Sequence, residues 1–368
     1  KSSGGAFPEM FLIPDVLSGY GAVGSFYGSR PEESGWSMNK PLAVGASTTL
    51  RVYTGLYDLI NRTNWLIAAV EKLNDSEFEA GRQAEILAEA KTLRALGHFY
   101  LLRTFGQFYD TGSQYGVNLR LEPVRSAEAF PRNTVSETYD AILADLDEGI
   151  SNGPDLISKR YTNKTFAKAL KAKVLLYKGD YSEAAALAQE VIQNSGPDFM
   201  LEPTYTGIFD EHDSPAIFES PEILFGSSGE PDAGLGIGNF YSGFYTNISQ
   251  KYLDAVSGSL NVDGEEIQIM GDQRASIIFP NVSYGGFYST KYTTYFTTGD
   301  YEMIYHIRMA EVYLIFAEAS ARANNAVTPE AISALNAVRT RAGAVPYPES
   351  IGLEQFLTAV RYEKLAEL

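Results

Sequence analysis

At 368 residues, with 45% hydrophobic content and a formal charge of −17, the chain can bury one large core or two ordinary ones, and its field repels phosphate backbones and anionic lipid surfaces. Nucleic acid is therefore not an expected partner. The absence of Cys removes disulfides, thiolate nucleophiles and zinc-thiolate sites together; no run approaches the ~20 apolar residues of a membrane-spanning helix, and KSSGGAFPEM holds no signal-peptide core, so the first residue shown is not expected to be the gene's first.

From Ala6 to Leu50 the sequence is rich in Gly, Ser, Pro and aromatics without sustained periodicity, which predicts loop with at most a short helix. Leu50 to Leu73 and Phe78 to Phe108 then read as an antiparallel helical pair. In the second, Ile86, Leu87, Ala90, Leu93, Leu96, Phe99, Tyr100 and Phe105 recur mostly at three- and four-residue steps, so that helix should be buried on most of its surface. Thr111 to Arg132 is a connector. Thr134 to Ser151 opens with Thr-Val-Ser-Glu, a capping box in which Thr134 and Glu137 satisfy each other's end donors. Thr162 to Asn194 places small residues on two helices around a Tyr177-Lys-Gly179-Asp180-Tyr181 turn, the layout of a tetratricopeptide-like hairpin.

Between Ser195 and Tyr301 the composition shifts to Gly, Ser, Tyr, Phe, Asn and Asp, which predicts short strands and long ordered loops. A second hairpin follows from Ile304 to Gly343, with Thr328 as cap and Pro329 in the first turn of its second helix. The expected fold is mainly α: a tetratricopeptide-like helical-hairpin scaffold (about 50–195 and 302–368) with long ordered loops and a few short strands (about 1–49 and 196–301). All of 1–368 reads as one domain. No strict 34-residue period is kept, so the array is degenerate. Long loops in a compact domain carry function, and the insert reads as the working surface.

The 24 Tyr and 20 Phe against only 2 Trp suit a surface that must be both apolar and hydrogen-bonding. Neutral sugars are held by ring faces with amide, carboxylate and Arg groups beside them. Asn239, Tyr241 and Tyr245 in one Gly-bearing segment, and Tyr284, Phe287 and Tyr288 in another, are candidate ligand contacts; alternatively, alternate rings of short strands pack inward. Trp36 lies in a polar loop with Arg30 and Asn39, and reads either as a ligand contact or as a ring packed on the scaffold. Trp65, on an apolar helix, reads as core.

Other motifs carry less. Gly234, Gly236 and Gly238 lack the third glycine of a dinucleotide fingerprint and open no βαβ unit. His98, His212 and His306 have no ligand-spaced partners, and His98 reads as a satisfied core residue. Asn261, Asp263, Glu265 and Glu266, with Asp254 and Asp272, could hold Ca²⁺, but they fail the EF-hand pattern and read as a solvated acidic loop. No G-x-S-x-G elbow is present, and no acid and base can be singled out by spacing among 46 carboxylates. Neither a metal nor a cofactor is expected.

Several segments in order resemble one family. The Arg62-Thr-Asn-Trp65 helix comes first, followed by Ala88-Glu-Ala-Lys-Thr-Leu-Arg-Ala95 and the Thr104-Phe-Gly106 exit. Arg132-Asn-Thr-Val-Ser-Glu-Thr-Tyr139 with Ile142-Leu-Ala-Asp145-Leu146, then Pro221-Glu222-Ile-Leu-Phe225, come next. Arg308-Met-Ala-Glu311, Asn336-Ala-Val-Arg339-Thr-Arg341 and Glu363-Lys-Leu-Ala-Glu367 complete the series. Together they resemble the SusD/RagB family over about two-thirds of the chain. The resemblance implies a tetratricopeptide-like protein, lipid-anchored on the outer face of a Bacteroidetes-type outer membrane through an N-terminal anchor absent from this sequence. It also implies a lid on a TonB-dependent, SusC-like transporter that captures oligosaccharides, or in some branches peptides, without turnover. In the family, an aromatic in the loop before the Asn-bearing helix often lines the ligand site, which favours Trp36. Members usually continue past the Glu-Leu motif into an Arg-Trp segment that this sequence lacks, which leaves a truncated and a disordered C-terminus both open. A helical glycoside hydrolase and a protein-binding adaptor are the alternatives from other classes.

Overall fold

The computed structural model describes residues 6–24, 35–36, 38–40, 47–126, 128–209, 218–228, 246–282, 285–291 and 303–368. In chain order these hold α1 (Ala6–Ser18), β1 (Gly21–Val23), α2 (Ser47–Val70), α3 (Arg82–Phe105), α4 (Val135–Asn152), α5 (Lys164–Lys178) and α6 (Tyr181–Asn194). The insert contributes β2 (Ile223–Ser228), β3 (Thr246–Ile248), α7 (Gln250–Val256), β4 (Ser259–Val262), β5 (Glu265–Gln268), α8 (Asp272–Ala275), β6 (Ile278–Pro280) and β7 (Phe287–Ser289). The chain closes with β8 (Met303–Arg308), α9 (Met309–Asn324), α10 (Pro329–Arg341) and α11 (Leu353–Glu367).

Each scaffold helix packs on its predecessor from α2 to α6, and α9 then packs on α6, with α10 and α11 on α9. The array is thus interrupted in sequence by the insert but continuous in space, which gives the mainly α, tetratricopeptide-like architecture. Local chemistry starts and stops these helices as the sequence predicts. Thr134 and Glu137 form the capping box. Asn163 accepts from the Phe166 N–H, and Gly179 ends α5 in the left-handed region at φ 95°. Thr328 accepts from the Ala331 N–H, with Pro329 in the first turn. Small residues set the spacing: a Cβ on Gly149 of α4 would stand 2.2 Å from the Thr92 hydroxyl of α3 and 3.1 Å from Ala167 of α5.

Two buried polar locks hold the array. Arg94 on α3 donates in bidentate fashion to Asp145 on α4, at 2.8 and 2.7 Å, and to Asn64 Oδ1 on α2 at 2.8 Å. Asn64 in turn donates to the Arg120 and Glu122 carbonyls of the connector. At the other end, Glu222 receives Arg308 at 2.7 Å and Arg341 at 2.6 Å, and Arg341 also meets Glu367. Glu363 is clamped between Arg274 at 2.8 Å and Arg339 at 2.7 Å. These charges are almost wholly removed from water, so each survives only by its partners.

Residues 6–18 form a short helix of the kind the 6–50 stretch allowed: Met10, Leu12, Ile13 and Val16 are buried, and α1 packs on α2. Two expectations are corrected. Ile304 to Arg308, read as the start of a helix, is strand β8, antiparallel to β2 with a bulge near Phe225. Trp65, expected in the core, is 41% exposed, with Arg125 stacked 4.7 Å from its ring.

Candidate functional site

Strands β1, β3, β7 and β6 form an antiparallel sheet in that order. Beneath it lies a cleft of about 470 Å³, lined among others by Tyr20, Asn247, Tyr252, Arg274 and Lys291. In β7, Ser289 pairs with Ile278, and both line the cleft. Side chains alternate across a strand, so Phe287 shares that face. Tyr288 points the other way and packs, tilted by 32°, against its cross-strand neighbour Phe279, with ring centroids 5.8 Å apart. The predicted Phe-Tyr pair is thereby divided between the two faces of the sheet. Phe279 is 40% exposed and Tyr288 half-buried, so the outer face carries an accessible aromatic pair.

Inside the cleft, Tyr20 and Tyr252 meet edge to face at 6.4 Å, and the Lys251 ammonium lies 5.0 Å from the Tyr20 ring. Burial pushes the Tyr252 hydroxyl up to about 12, so it stays a donor at neutral pH. Burial also brings Lys291 down to about 7, aided by the nearby Arg308 charge, while its ammonium donates to the Leu368 carbonyl at 2.6 Å. Asn247 Oδ1 and the Arg274 Nε and Nη2 are buried without hydrogen-bond partners. A neutral tyrosine hydroxyl, an open amide oxygen and unspent guanidinium donors are groups that can bind polyols or carboxylates. His98 and His306 are each pushed down to about 3 by burial, with Arg94 and Lys173 respectively lowering them further. His98 Nε2 accepts from the Arg120 N–H, while His306 lies between Tyr100 and Ser227 at 3.0 and 2.9 Å.

Of the other candidates, Trp36 is 4% exposed and belongs to the main hydrophobic cluster, so its ring is core and offers no face to a ligand in this arrangement. Asn39 is exposed in the adjoining turn at φ 50°, a left-handed position that Asn tolerates. Its identity thus has a backbone reason. Arg30, Asn239, Tyr241, Tyr245 and Tyr284 lie outside the described residues, as does His212. The acidic group 261–266 is a β4–β5 hairpin turned at Asp263 and Gly264, φ 53° and 90°, in which Asn261 donates to Glu266 at 2.8 Å. Sequence reasoning missed Tyr20, Asn247, Tyr252 and Arg274, which share no motif: Tyr20 precedes β1, Asn247 lies on β3, Tyr252 on α7 and Arg274 on α8, and only the tertiary fold brings them to one cleft.

A helical array closed by buried ion locks, with a strand-and-loop insert beside a polar, aromatic cleft, defines a tetratricopeptide-like scaffold of the SusD type. A "SusD family" profile matches residues 240–368, and one described as "Starch-binding associating with outer membrane" matches 29–176. The chain belongs to the SusD/RagB family. A SusD-like protein of Formosa agariphila is 30% identical over 165 residues, which are 44% of this chain and 31% of that protein. The chain thus matches less than a third of the length of its curated relatives. Among solved structures, a SusD superfamily protein of Bacteroides thetaiotaomicron superposes with TM-score 0.75 at 22% identity, covering 98% of this chain and 85% of that one. Surface glycan-binding protein A of Bacteroides uniformis gives 0.74 at 19%, covering 98% and 80%. At these identities the structural matches speak for the fold alone.

Proposed function

We propose that the protein captures oligosaccharides at a bacterial cell surface without cleaving them, and hands them to a TonB-dependent, SusC-like transporter. The observation that carries this reading is the membership of the SusD/RagB family on a scaffold whose insert presents Tyr288, Phe279 and the cleft tyrosines, while its recognisable motifs are used up in buried ion pairs. The glycan-binding description of the Bacteroides uniformis neighbour and the starch-binding description of the N-terminal profile agree with it. The outer-membrane association in that description agrees with anchoring at the outer membrane through a lipidated N-terminus.

Modest affinity suits a protein that must release its cargo. Titration calorimetry with neutral oligosaccharides, followed by an assay for new reducing ends after prolonged incubation, tests both halves. Saturable heat with intact ligand is expected. Released reducing ends would indicate a hydrolase, and heat with mixed peptides alone would indicate a peptide-capturing branch of the family.

A further inference from the structure

A groove of about 520 Å³ runs along the outer side of α2 and the connector that follows α3, remote in sequence from the insert. Its walls include Tyr53, Tyr57, Asn61, Asn118, Arg120 and Phe130, and it shares no lining residue with the cleft beneath the sheet. The frame is fixed from several sides. The Tyr57 hydroxyl donates to the Asn118 carbonyl at 2.9 Å, and Asn118 Nδ2 donates to the Phe130 carbonyl at 2.8 Å. Asn61 Oδ1 accepts from the Val124 N–H at 2.8 Å. The Arg120 guanidinium lies 3.6 Å from the Phe130 ring centroid, which holds that ring upright against the groove.

Tyr53 is 39% exposed and Phe130 48% exposed, so both offer ring surface to water on a rigid frame. Tyr53 is itself braced by Tyr57 at 4.8 Å and Phe105 at 5.3 Å. Asn118 Oδ1 is buried with no hydrogen-bond partner, an arrangement that costs about 1–3 kcal/mol unless a donor reaches it. Asp58 and Glu128 also border the groove; Asp58 is paired with Arg62 at 2.7 Å, and Glu128 accepts from Ser126 at 2.8 Å. The two rim carboxylates offset the Arg120 and Arg62 charges beside them, which leaves no net positive charge to draw an anionic ligand. Rings with open faces, a waiting amide acceptor and carboxylate acceptors match an uncharged polyhydroxylated chain, whose C–H faces stack while its hydroxyls donate.

We infer that this groove is a second carbohydrate-binding site, for neutral oligosaccharides, separate from the cleft at the insert. The inference rests on the glycan-capture reading and adds a second point of contact, so that one long glycan, or two short ones, can engage the protein at once. Two modest sites joined through one ligand raise the overall affinity without strengthening either contact.

Hydrogen exchange read by mass spectrometry, with maltohexaose, laminarihexaose and trigalacturonate as probes, separates the two sites by position. A neutral probe is expected to protect residues 53–61 and 118–130. Tyr53→Ala should remove that protection and weaken the groove event about tenfold. Asn61→Asp keeps the acceptor for the Val124 N–H but removes the Nδ2 donor at the groove wall, and should weaken the groove event several-fold with unfolding unchanged; it serves if Tyr53→Ala fails to fold. Protection confined to residues 246–252 and 287–291, unaltered in both variants, overturns the second site and leaves glycan capture standing. Stronger groove protection by trigalacturonate than by the neutral sugars overturns the assignment of ligand charge. Absence of binding by every probe overturns the site and the capture reading together.

Discussion

The helical array and the insert solve different problems with different residues. In the array, the polar residues that make the sequence recognisable face inward: Asn64, Arg94 and Asp145 join three helices, and Glu222, Arg308, Arg341 and Glu367 tie the insert's first strand to the closing helices. In the insert, polar and aromatic residues are left with unspent capacity, as at Asn247 and Arg274 in the cleft and Tyr288 on the outer sheet face. A recognisable motif in this chain therefore marks a structural lock. The candidate binding surface is assembled from residues that share no motif.

The comparison predicts that changes in the locks cost stability and changes on the insert cost binding. The largest effect is expected for Glu222→Ala, which leaves two buried guanidinium groups, Arg308 and Arg341, to share the Glu367 carboxylate and should destabilise by about 3–5 kcal/mol in urea or thermal unfolding. Trp36→Ala should cost a similar ~3–5 kcal/mol, since a large ring leaves the main core. A Trp36→Ala protein that melts like the parent would return that residue to the ligand face. Gly149→Ala is next, at about 1–3 kcal/mol, because the new methyl has no room beside Thr92 unless the helices part.

A smaller and pH-dependent effect belongs to the buried imidazoles. The unfolded chain protonates its histidines below about 6.5, whereas folded His98 and His306 stay neutral until about pH 3. Stability is therefore fully present above pH 6.5 and falls as pH drops toward 3, by up to ~1.4 kcal/mol per pH unit for each group. Relative to the parent, His306→Gln should flatten that fall between pH 6 and 4. Parallel urea midpoints at pH 7, 5 and 4 in the two proteins would remove the assignment. The smallest stability effects are expected for Trp65→Ala and Tyr288→Ala, each within ~1 kcal/mol. Of these two, Tyr288→Ala should weaken glycan binding several-fold in calorimetry, and equal affinity would exclude the outer sheet face.

Local signals were legible wherever a short stretch of chain decides its own conformation. The capping box at Thr134, the glycine stop at Gly179 and the Thr328-Pro329 start stand where the sequence puts them. The heavily apolar face of α3 is likewise buried. Ile304 to Arg308 was not legible, because a short apolar run suits either a buried helix or a buried strand, and pairing with β2 made it a strand. The burial of Trp36, which the sequence left open between ligand contact and scaffold packing, and the exposure of Trp65, which it placed in the core, have a related reason. A polar loop around Trp36 does not reveal which core it folds onto, and an apolar helix around Trp65 does not reveal which of its faces stays wet.

The sequence by itself determined the family, the helical-hairpin scaffold and its ends, because periodicity, caps and turn residues act within a few positions of one another. Tertiary structure alone decided which rings are core and which are surface, how the two arrays of buried charge close, and where Tyr20, Asn247, Tyr252 and Arg274 converge. Burial and convergence depend on contacts between residues far apart in the chain, and no local pattern records them.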